Sequence, residues 1–467
     1  MSQRIVVIGG GIAGISAAYR AHELSTESPG SCEVLLLESR EELGGKVRTD
    51  TSAGHIFERG PNAFINPGPE LSKLVELSGV EVLNADAAAK RRFLCKGGEL
   101  HELSTNPIAL LKSGVLPATA KLRALAEPTI GKRTSEHGNH GSEGWGDESV
   151  ESFFARRFGA KMAAVFAGPL VSGIYAGDPK RLSLPSCFPR LATMESEHGS
   201  IIRGMSALRK EGVKIPTLQT PSSGMQSITL GLGAAAPFAV RTGVSVSSLS
   251  PVDEGWQLSL SDGERVAADA VVSATPSSAA SELLQSTATG TASALSKISH
   301  PHLAVVSLVY AADQCAKAPK GFGALYVHDG SSNLLGVLHE SHIFPSRGVE
   351  GALNLRVMMG GATRPELADR SDEELTQLAV EELASLHGFT SSPIKILVTR
   401  WPDSIPQYEL GHARLIKDAL DGLQASGPPP IALAGNYLAG VSLSDTAASG
   451  SQAAEAVHRQ LSTFPQD

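Results

Sequence analysis

Gly9-Gly10-Gly11-Ile12-Ala13-Gly14 sets the spacing G-x-G-x-x-G between an apolar run, Arg4–Ile8, and a helical stretch, Gly14–Leu24. In that position Gly9 permits a tight turn, Gly11 lets the backbone approach a pyrophosphate, and Gly14 lets helix and strand pack closely. The helix that follows, with Ile12 and Ala13 at its start, offers unpaired N–H groups to phosphate oxygens. A second apolar run, Glu33–Glu38, ends on Glu38, followed by Ser39. A carboxylate there accepts both ribose hydroxyls and repels a 2′-phosphate. Strand, helix and strand in this order predict parallel pairing and a dinucleotide site.

The bulk properties fit such a fold. A chain of 467 residues is long enough for two or three domains, and 42% hydrophobic with 19% charged residues describes an ordinary globular composition. A net charge of −8, with no Lys/Arg block, gives no field that would draw nucleic acid. Cys32, Cys95, Cys187 and Cys315 stand far apart with no CxxC pair, so they read as buried thiols of a reducing compartment. The N-terminus enters a strand within four residues and carries no secretory pattern. No apolar stretch reaches the roughly 20 residues that span a bilayer. The expectation is a cytoplasmic protein, with peripheral contact at the inner face of the cell membrane left open.

Further along, Leu71–Pro189 reads as mainly helical, including Pro107–Glu127 and Ser149–Phe166. Within it Thr134–Asp147 is a Gly/Ser/His-rich surface loop, and His137 and His140 lack the partners of a metal site. Strands are predicted at Ala239–Val246, Trp256–Ser261 and Ala270–Ala274, then at His302–Tyr310, Asn333–Leu338 and Ala352–Met359 as an antiparallel sheet. A helix at Asp372–Leu386, strands at Ile394–Arg400 and Ile431–Ala434, and a helix at Ala447–Gln460 follow. Strands of the first domain thus return late in the chain.

Three more segments carry chemistry. Leu43-Gly44-Gly45-Lys46-Val47-Arg48 places a glycine pair where backbone can pass a nucleotide, and Lys46 or Arg48 can neutralise phosphate. Glu58-Arg59-Gly60-Pro61-Asn62 is a rigid turn suited to lie beside a flavin ring. Near the end, Ala432–Asn436 runs from strand to turn, and Gly440–Asp445 precedes a helix whose dipole can stabilise negative charge on a reduced ring. A second G-x-G-x-x-G is absent, so a separate NAD(P)H domain is unsupported.

With these segments on the page, the sequence resembles the porphyrinogen oxidases of haem synthesis, within the monoamine-oxidase-like flavoenzyme superfamily. The resemblance runs over nearly the whole chain. It rests on the glycine turn with Glu38, GGKVRT, Glu58–Asn62, Lys90–Leu94, and above all Ser172-Gly173-Ile174-Tyr175-Ala176-Gly177-Asp178-Pro179. Leu182-Ser183, Cys187–Pro189, Gly321–Gly323, Phe344-Pro345, Gly360-Gly361, Arg400-Trp401, Pro406–Tyr408 and Gly411-His412 extend it.

The resemblance implies an α/β chain: a discontinuous Rossmann-type FAD domain (1–85, 226–285 and 425–467), an inserted α+β substrate domain (86–92, 196–225 and 286–424) and a helical domain (93–195) that in relatives meets the membrane. FAD would be held noncovalently by Gly9 to Gly14, Glu38, Ser39, Gly45, Lys46, Arg48, Gly60, Pro61, Asn62, Val246, Asn436, Val441, Ser442 and Leu443. For the substrate, Arg92 would hold a propionate, the Gly173 carbonyl would meet pyrrole N–H groups, and Leu325 and Phe344 would clamp the ring faces. The reaction implied is three rounds of hydride transfer from a porphyrinogen to FAD, with dioxygen reoxidising the flavin to give hydrogen peroxide. No side chain stands out as a general base. Protoporphyrinogen is the first substrate expected; coproporphyrinogen, with two more carboxylates, is the alternative. An amine oxidase is disfavoured because six tyrosines and three tryptophans make an aromatic cage hard to build. A carotenoid desaturase and a silent binding protein of the same fold are remoter readings, the latter opposed by the intact Gly9, Gly11, Gly14 and Glu38. Departures from the family pattern are Thr446 in place of a common Cys, and Asn436 and Ser442 where smaller residues are frequent. Contact with the next enzyme of the pathway, and a monomer or homodimer, remain open partners.

Overall fold

The computed structural model describes residues 3–27, 32–103, 114–132, 147–210, 217–253, 255–314, 318–427 and 429–463. The predicted loop Thr134–Asp147, apart from Asp147, lies outside them, as do Cys315 and part of the helix expected at Pro107–Glu127.

Five parallel strands form the nucleotide sheet, in the order Ala239–Arg241, Cys32–Leu37, Gln3–Ile8, Ala270–Ser273, Ile431–Leu433. The central strand is buried on both faces, with Ile5, Val6 and Val7 fully covered, which explains its unbroken apolar run. One face packs on the first helix, Ile12–Glu27, and the last, Leu443–Thr463. The other packs on an antiparallel meander, Val246–Val252, Gly255–Leu260 and Arg265–Ala268. The single strand predicted at Ala239–Val246 is therefore two. Gly243, at φ +71°, turns the chain out of the parallel sheet before Val246 begins the meander. The strands from 270 and 431 do return to the first sheet, as their apolar patterns suggested.

The second large sheet has seven strands in the order Lys395–Trp401, Leu303–Tyr310, Leu353–Gly360, Leu334–His339, Gly323–Tyr326, Arg92–Lys96, Glu99–Leu103. Its neighbours are antiparallel except Gly323–Tyr326 with Arg92–Lys96. The register places Leu94, Leu325, Gly336 and Met358 in one row, and Leu338 with Arg356 in the next. Alternation puts Arg92 on the face of Leu94. The opposite face is covered by the helix Asp372–His387 through Leu375, Ala379 and Leu383.

This arrangement corrects the sequence reading between 93 and 103, which placed those residues in a helical segment. They form a hairpin at the edge of the seven-stranded sheet, because Gly97 and Gly98, at φ +57° and +79°, supply the positive-φ pair of a tight turn. Beyond them the helical expectation holds, with helices Ala118–Leu125, Val150–Phe158, Ala160–Tyr175, Pro189–His198 and Ile201–Lys210. The helix expected at Ser149–Phe166 is broken at Gly159 (φ +94°). Among the described residues no helix is long and apolar enough to cross a membrane.

Candidate active site

The cradle for a dinucleotide is built almost wholly of backbone. Gly9 donates its N–H to Leu37 O (2.7 Å), the last rung between the first two strands, and its φ of +106° turns the chain into the helix. A Cβ on Gly14 would stand 1.8 Å from Gly9 O, so only glycine permits the helix to start this close. Gly44 N–H donates to Gly10 O (2.8 Å), laying the GGKVRT loop over the glycine turn. A Cβ on Gly11, by contrast, would meet only Gly45 Cα, at 4.0 Å, while Gly45 sits at φ +59°. The two glycines thus meet backbone to backbone beside a helix N-terminus, whose N–H donors fit a pyrophosphate. Glu38 is buried beside it. Its carboxylate accepts from Gly10 N–H (2.6 Å) and Arg40 N–H (2.9 Å), with Ser39 Oγ 3.2 Å away.

The predicted partners fall into place unevenly. Lys46 turns its ammonium to the backbone carbonyl of Ser404 beside Asp403, and burial pulls its pKa down to about 8. Arg48 is half-buried, as is Val246 at the start of the meander. At the far end, Gly435 N–H donates to Ser449 Oγ (3.0 Å) and Tyr408 OH donates to Asn436 O. Ser442 Oγ caps the last helix by accepting from Asp445 N–H (3.1 Å), with half-buried Val441 and Leu443 on either side. Thr446 Oγ donates to Ser442 O at 2.8 Å, so the residue that departs from the family pattern braces that cap.

The turn Glu58–Asn62 is gripped by side chains from elsewhere. Trp401 Nε1 donates to Arg59 O (2.8 Å), Arg356 to Gly60 O, and both Arg347 (3.2 Å) and Thr220 (3.1 Å) to Asn62 O. Glu58, almost fully buried, pairs with Arg347 and accepts from Met225 N–H (2.8 Å) and Thr49 Oγ (2.7 Å). A Cβ on Gly60 would fall 1.8 Å from Lys46 O, which locks the turn against the GGKVRT loop. Sequence reading found the turn but not its grip. Arg356 could have been suspected only as a charge alternating with Met358 on one strand face.

On the sheet facing this turn, Arg91 is taken by Glu102 (2.8 Å), while Arg92 is exposed, lies over the Phe322 ring at 5.1 Å, and makes no ion pair among the described residues. Gly173 comes up against Leu325, whose Cδ2 would lie 2.9 Å from a Cβ there. Gly173 stands in the last turn of its helix, where carbonyls lose their intrahelical donors. Ser172 O is taken by Ala176 N–H (3.2 Å) and Tyr175 O by Gln407 Nε2 (2.8 Å), but among the described residues no donor reaches Gly173 O. Arg92, Gly173 and Leu325 are therefore brought to one side of the sheet. Phe344 is buried with Ala89 and Ile343, in a cluster against which half-buried Phe322 and Leu338 pack.

The whole span from the glycine turn to the last helix, residues 12–458, matches the family model described as flavin containing amine oxidoreductase. The chain belongs to that family. The flavoenzyme is 33% identical to protoporphyrinogen oxidase of Bos taurus over 100% of both chains, and 34% identical to that of Homo sapiens over 98% of both. It is 28% identical to coproporphyrinogen III oxidase of Bacillus subtilis (strain 168), over 95% of each. These matches set it among the porphyrinogen oxidases, as its motifs implied. A solved structure from Exiguobacterium sp. 255-15 shares the fold at a TM-score of 0.83 and 24% identity, covering 99% of this chain and 100% of that one. Reduced UDP-galactopyranose mutase does so at 0.72 and 16%, covering 100% and 95%. The protein is an FAD-dependent oxidoreductase, and the glycine turn, with the close approach to backbone that Gly9, Gly11 and Gly14 allow, fits that cofactor's pyrophosphate.

Proposed function

We propose that this flavoenzyme catalyses the oxygen-dependent oxidation of protoporphyrinogen IX to protoporphyrin IX, with coproporphyrinogen III as the second substrate to compare. The observation that carries the reading is a sheet face of mixed character: Arg92, whose guanidinium makes no ion pair among the described residues, shares it with Leu325, Leu338 and Met358. An apolar tetrapyrrole macrocycle with carboxylates on its edge matches that pattern. When bound, FAD supplies a two-electron acceptor that dioxygen restores with release of hydrogen peroxide.

The chain's own residues contribute binding, orientation and exclusion of water. Arg92 presents a fork that suits a propionate carboxylate. Gly173 O, left without a donor among the described residues, accepts from pyrrole N–H groups and fixes which face of the ring is offered. Leu325, Leu338 and Met358 give the ring an apolar bed. None of these groups takes up a proton, so the pyrrole protons leave to solvent. The B. subtilis relative is the reason to keep coproporphyrinogen in view.

Peripheral attachment to an anionic membrane belongs to the same reading. The helix Ile201–Lys210 exposes Ile202, Met205 and Leu208, three residues apart, and Ala118–Leu125 exposes Leu122 and Leu125. These two helices carry Lys121, Arg123, Arg203, Arg209 and Lys210 and no acidic residue, in a chain of net charge −8. Apolar side chains flanked by basic ones are suited to the boundary of anionic lipid.

The deciding experiment is a fluorescence assay of the purified yellow protein with each porphyrinogen under identical conditions. A faster rise with protoporphyrinogen is expected. Failure to oxidise either one while flavin is bound would refute the assignment, and a strong preference for coproporphyrinogen would transfer it to the second substrate.

A further inference from the structure

The grip on the turn Glu58–Asn62 comes chiefly from the substrate sheet and the segment between its strands. Arg356 belongs to the strand Leu353–Gly360, Trp401 to Lys395–Trp401, and Arg347 to the short turn Pro345–Arg347. Arg356 shares the chamber face with Met358 and lies in register with Leu338 and Ser307. It is 7% exposed. Its Nη2 donates to Gly60 O and, at 3.4 Å, to Arg59 O; its buried Nε has no partner among the described residues. Close by is Glu340, 9% exposed, with Oε1 also unpartnered. Burial raises the Glu340 pKa, and the opposing influences are Arg356 and Asn62. Burial likewise lowers that of Arg356, against Glu340.

A buried cation held this way is costly unless it is compensated, and hydrophobic replacement of such pairs is often neutral or stabilising. Leucine or methionine would fill this row of the sheet as Leu338 and Met358 fill theirs. Stability alone therefore does not account for a guanidinium here. What it does contribute is direction, since the fork fixes the Gly60 carbonyl, and Gly60 is the one residue small enough to rest on Lys46 O.

We propose that Arg356, aided by Trp401, is a positioning residue of the oxidase. From the sheet face that carries Leu338 and Met358 it holds the Arg59–Gly60 carbonyls, and through them sets the turn against the flavin ring. This rests on the porphyrinogen oxidase reading, and on FAD lying along the cradle. The role is indirect: Arg356 acts on the reaction through the turn rather than through contact with the macrocycle.

The test compares the wild-type holoenzyme with Arg356→Lys, with the charge-neutral double variant Arg356→Met/Glu340→Gln, and with Trp401→Phe. Each is measured for thermal unfolding, FAD retained, visible flavin spectrum, flavin midpoint potential, and kcat and KM for a porphyrinogen. The double variant is expected to fold and keep FAD, yet to show a displaced flavin spectrum and potential. Its kcat should fall by roughly ten-fold or more with KM changed less than about three-fold, because misplacing a reacting group costs rate rather than binding. Arg356→Lys should recover part of the loss. Should the double variant fail to fold, Trp401→Phe, which removes only the indole N–H from Arg59 O, must move the spectrum in the same manner. Wild-type spectrum, potential and kcat in folded variants would overturn the proposal and leave a structural brace. A rise in KM alone would overturn it in favour of carboxylate binding by Arg356. A wild-type protein that holds flavin but oxidises no porphyrinogen would instead defeat the functional reading, on a measurement made without any variant.

Discussion

A Cβ on Gly450 would lie 2.0 Å from Ala13 O, so the last helix of the chain crosses the first at a distance only glycine allows. Ser16 Oγ donates to Ala447 O (2.7 Å) at the same crossing. The helix that opens on the glycine turn is thus held from behind by residues more than four hundred positions away, and the N–H groups of its first turn are aimed accordingly.

Gly450→Ala tests that crossing. In a free helix the change would add about 1 kcal/mol of stability. Here the clash is with backbone, and overpacking of this kind costs typically 1–3 kcal/mol. The clash should win, lowering the denaturant midpoint and loosening FAD together. An unchanged or raised midpoint would show that the two helices can part without cost.

Gly11→Ala and Gly14→Ala should separate cofactor binding from folding. At Gly14 the added carbon would meet Gly9 O at 1.8 Å, whereas at Gly11 nothing lies nearer than Gly45 Cα at 4.0 Å. Gly11→Ala should therefore fold as the apoprotein with near wild-type stability, and bind FAD roughly ten-fold or more weakly, the equivalent of at least about 1.4 kcal/mol. Gly14→Ala should be destabilised whether or not FAD is supplied. Flavin titration and unfolding of the apoproteins read the two effects independently. Tight FAD binding by Gly11→Ala would mean that the pyrophosphate does not lie against Gly11.

What the sequence made legible is what it encodes within a short window. The glycine turn, Glu38 and the buried strand Gln3–Ile8 depend on neighbours a few residues apart, and apolar runs marked the strands at 270 and 431 as members of the same sheet. The hairpin Arg92–Leu103 was missed although Gly97-Gly98 signalled a tight turn, because helical stretches on its far side dominated the reading. Gly159 and Gly243 broke elements that looked continuous, since a positive φ is a property of the backbone that composition does not display. The grip on Gly60 lay beyond any such reading. Arg356 and Trp401 meet the turn only because two domains close on each other, and no spacing along the chain records that meeting.

Acid should destabilise the substrate domain through a buried imidazole pair. His339 and His387 face each other with Nε2 atoms 3.1 Å apart, so one donates and the other accepts, and both are neutral. Burial lowers the pKa of His339 to about 3 and that of His387 to about 4. Both folded values lie below the unfolded value of 6.5. Their contribution is therefore complete above about pH 6.5 and is lost as the pH falls toward 4, where the unfolded chain binds protons that the folded chain refuses. Stability measured by denaturant at pH 7 and pH 5 should drop by on the order of 1–3 kcal/mol. His387→Gln, which keeps a hydrogen-bonding group but does not titrate, should flatten that slope. An equal slope in the variant would place the acid sensitivity elsewhere.

The basic apolar surface around the helix Ile201–Lys210 predicts a lipid dependence that differs between two kinds of variant. Met205→Asp and Leu208→Asp place charge on exposed positions, 47% and 37% accessible, so the fold has little reason to change. They should release the protein from vesicles containing phosphatidylserine at any salt concentration, because they remove the part of the attraction that comes from apolar insertion. Arg209→Ser/Lys210→Ser should weaken binding by roughly 1 kcal/mol per charge at low salt and have a diminishing effect as salt rises, since only the screened component is lost. Cosedimentation with anionic and with neutral vesicles distinguishes these behaviours. The helix is anchored by Glu127, fully buried, which accepts from Ile201 N–H (3.0 Å) and pairs with the fully buried Arg157. Glu127→Gln would leave Arg157 with Glu195 alone (3.3 Å), a carboxylate it shares with Arg156, and should loosen the helix and its vesicle binding together. Wild-type protein that stays in the supernatant with anionic vesicles at low salt would show that this surface serves something other than lipid.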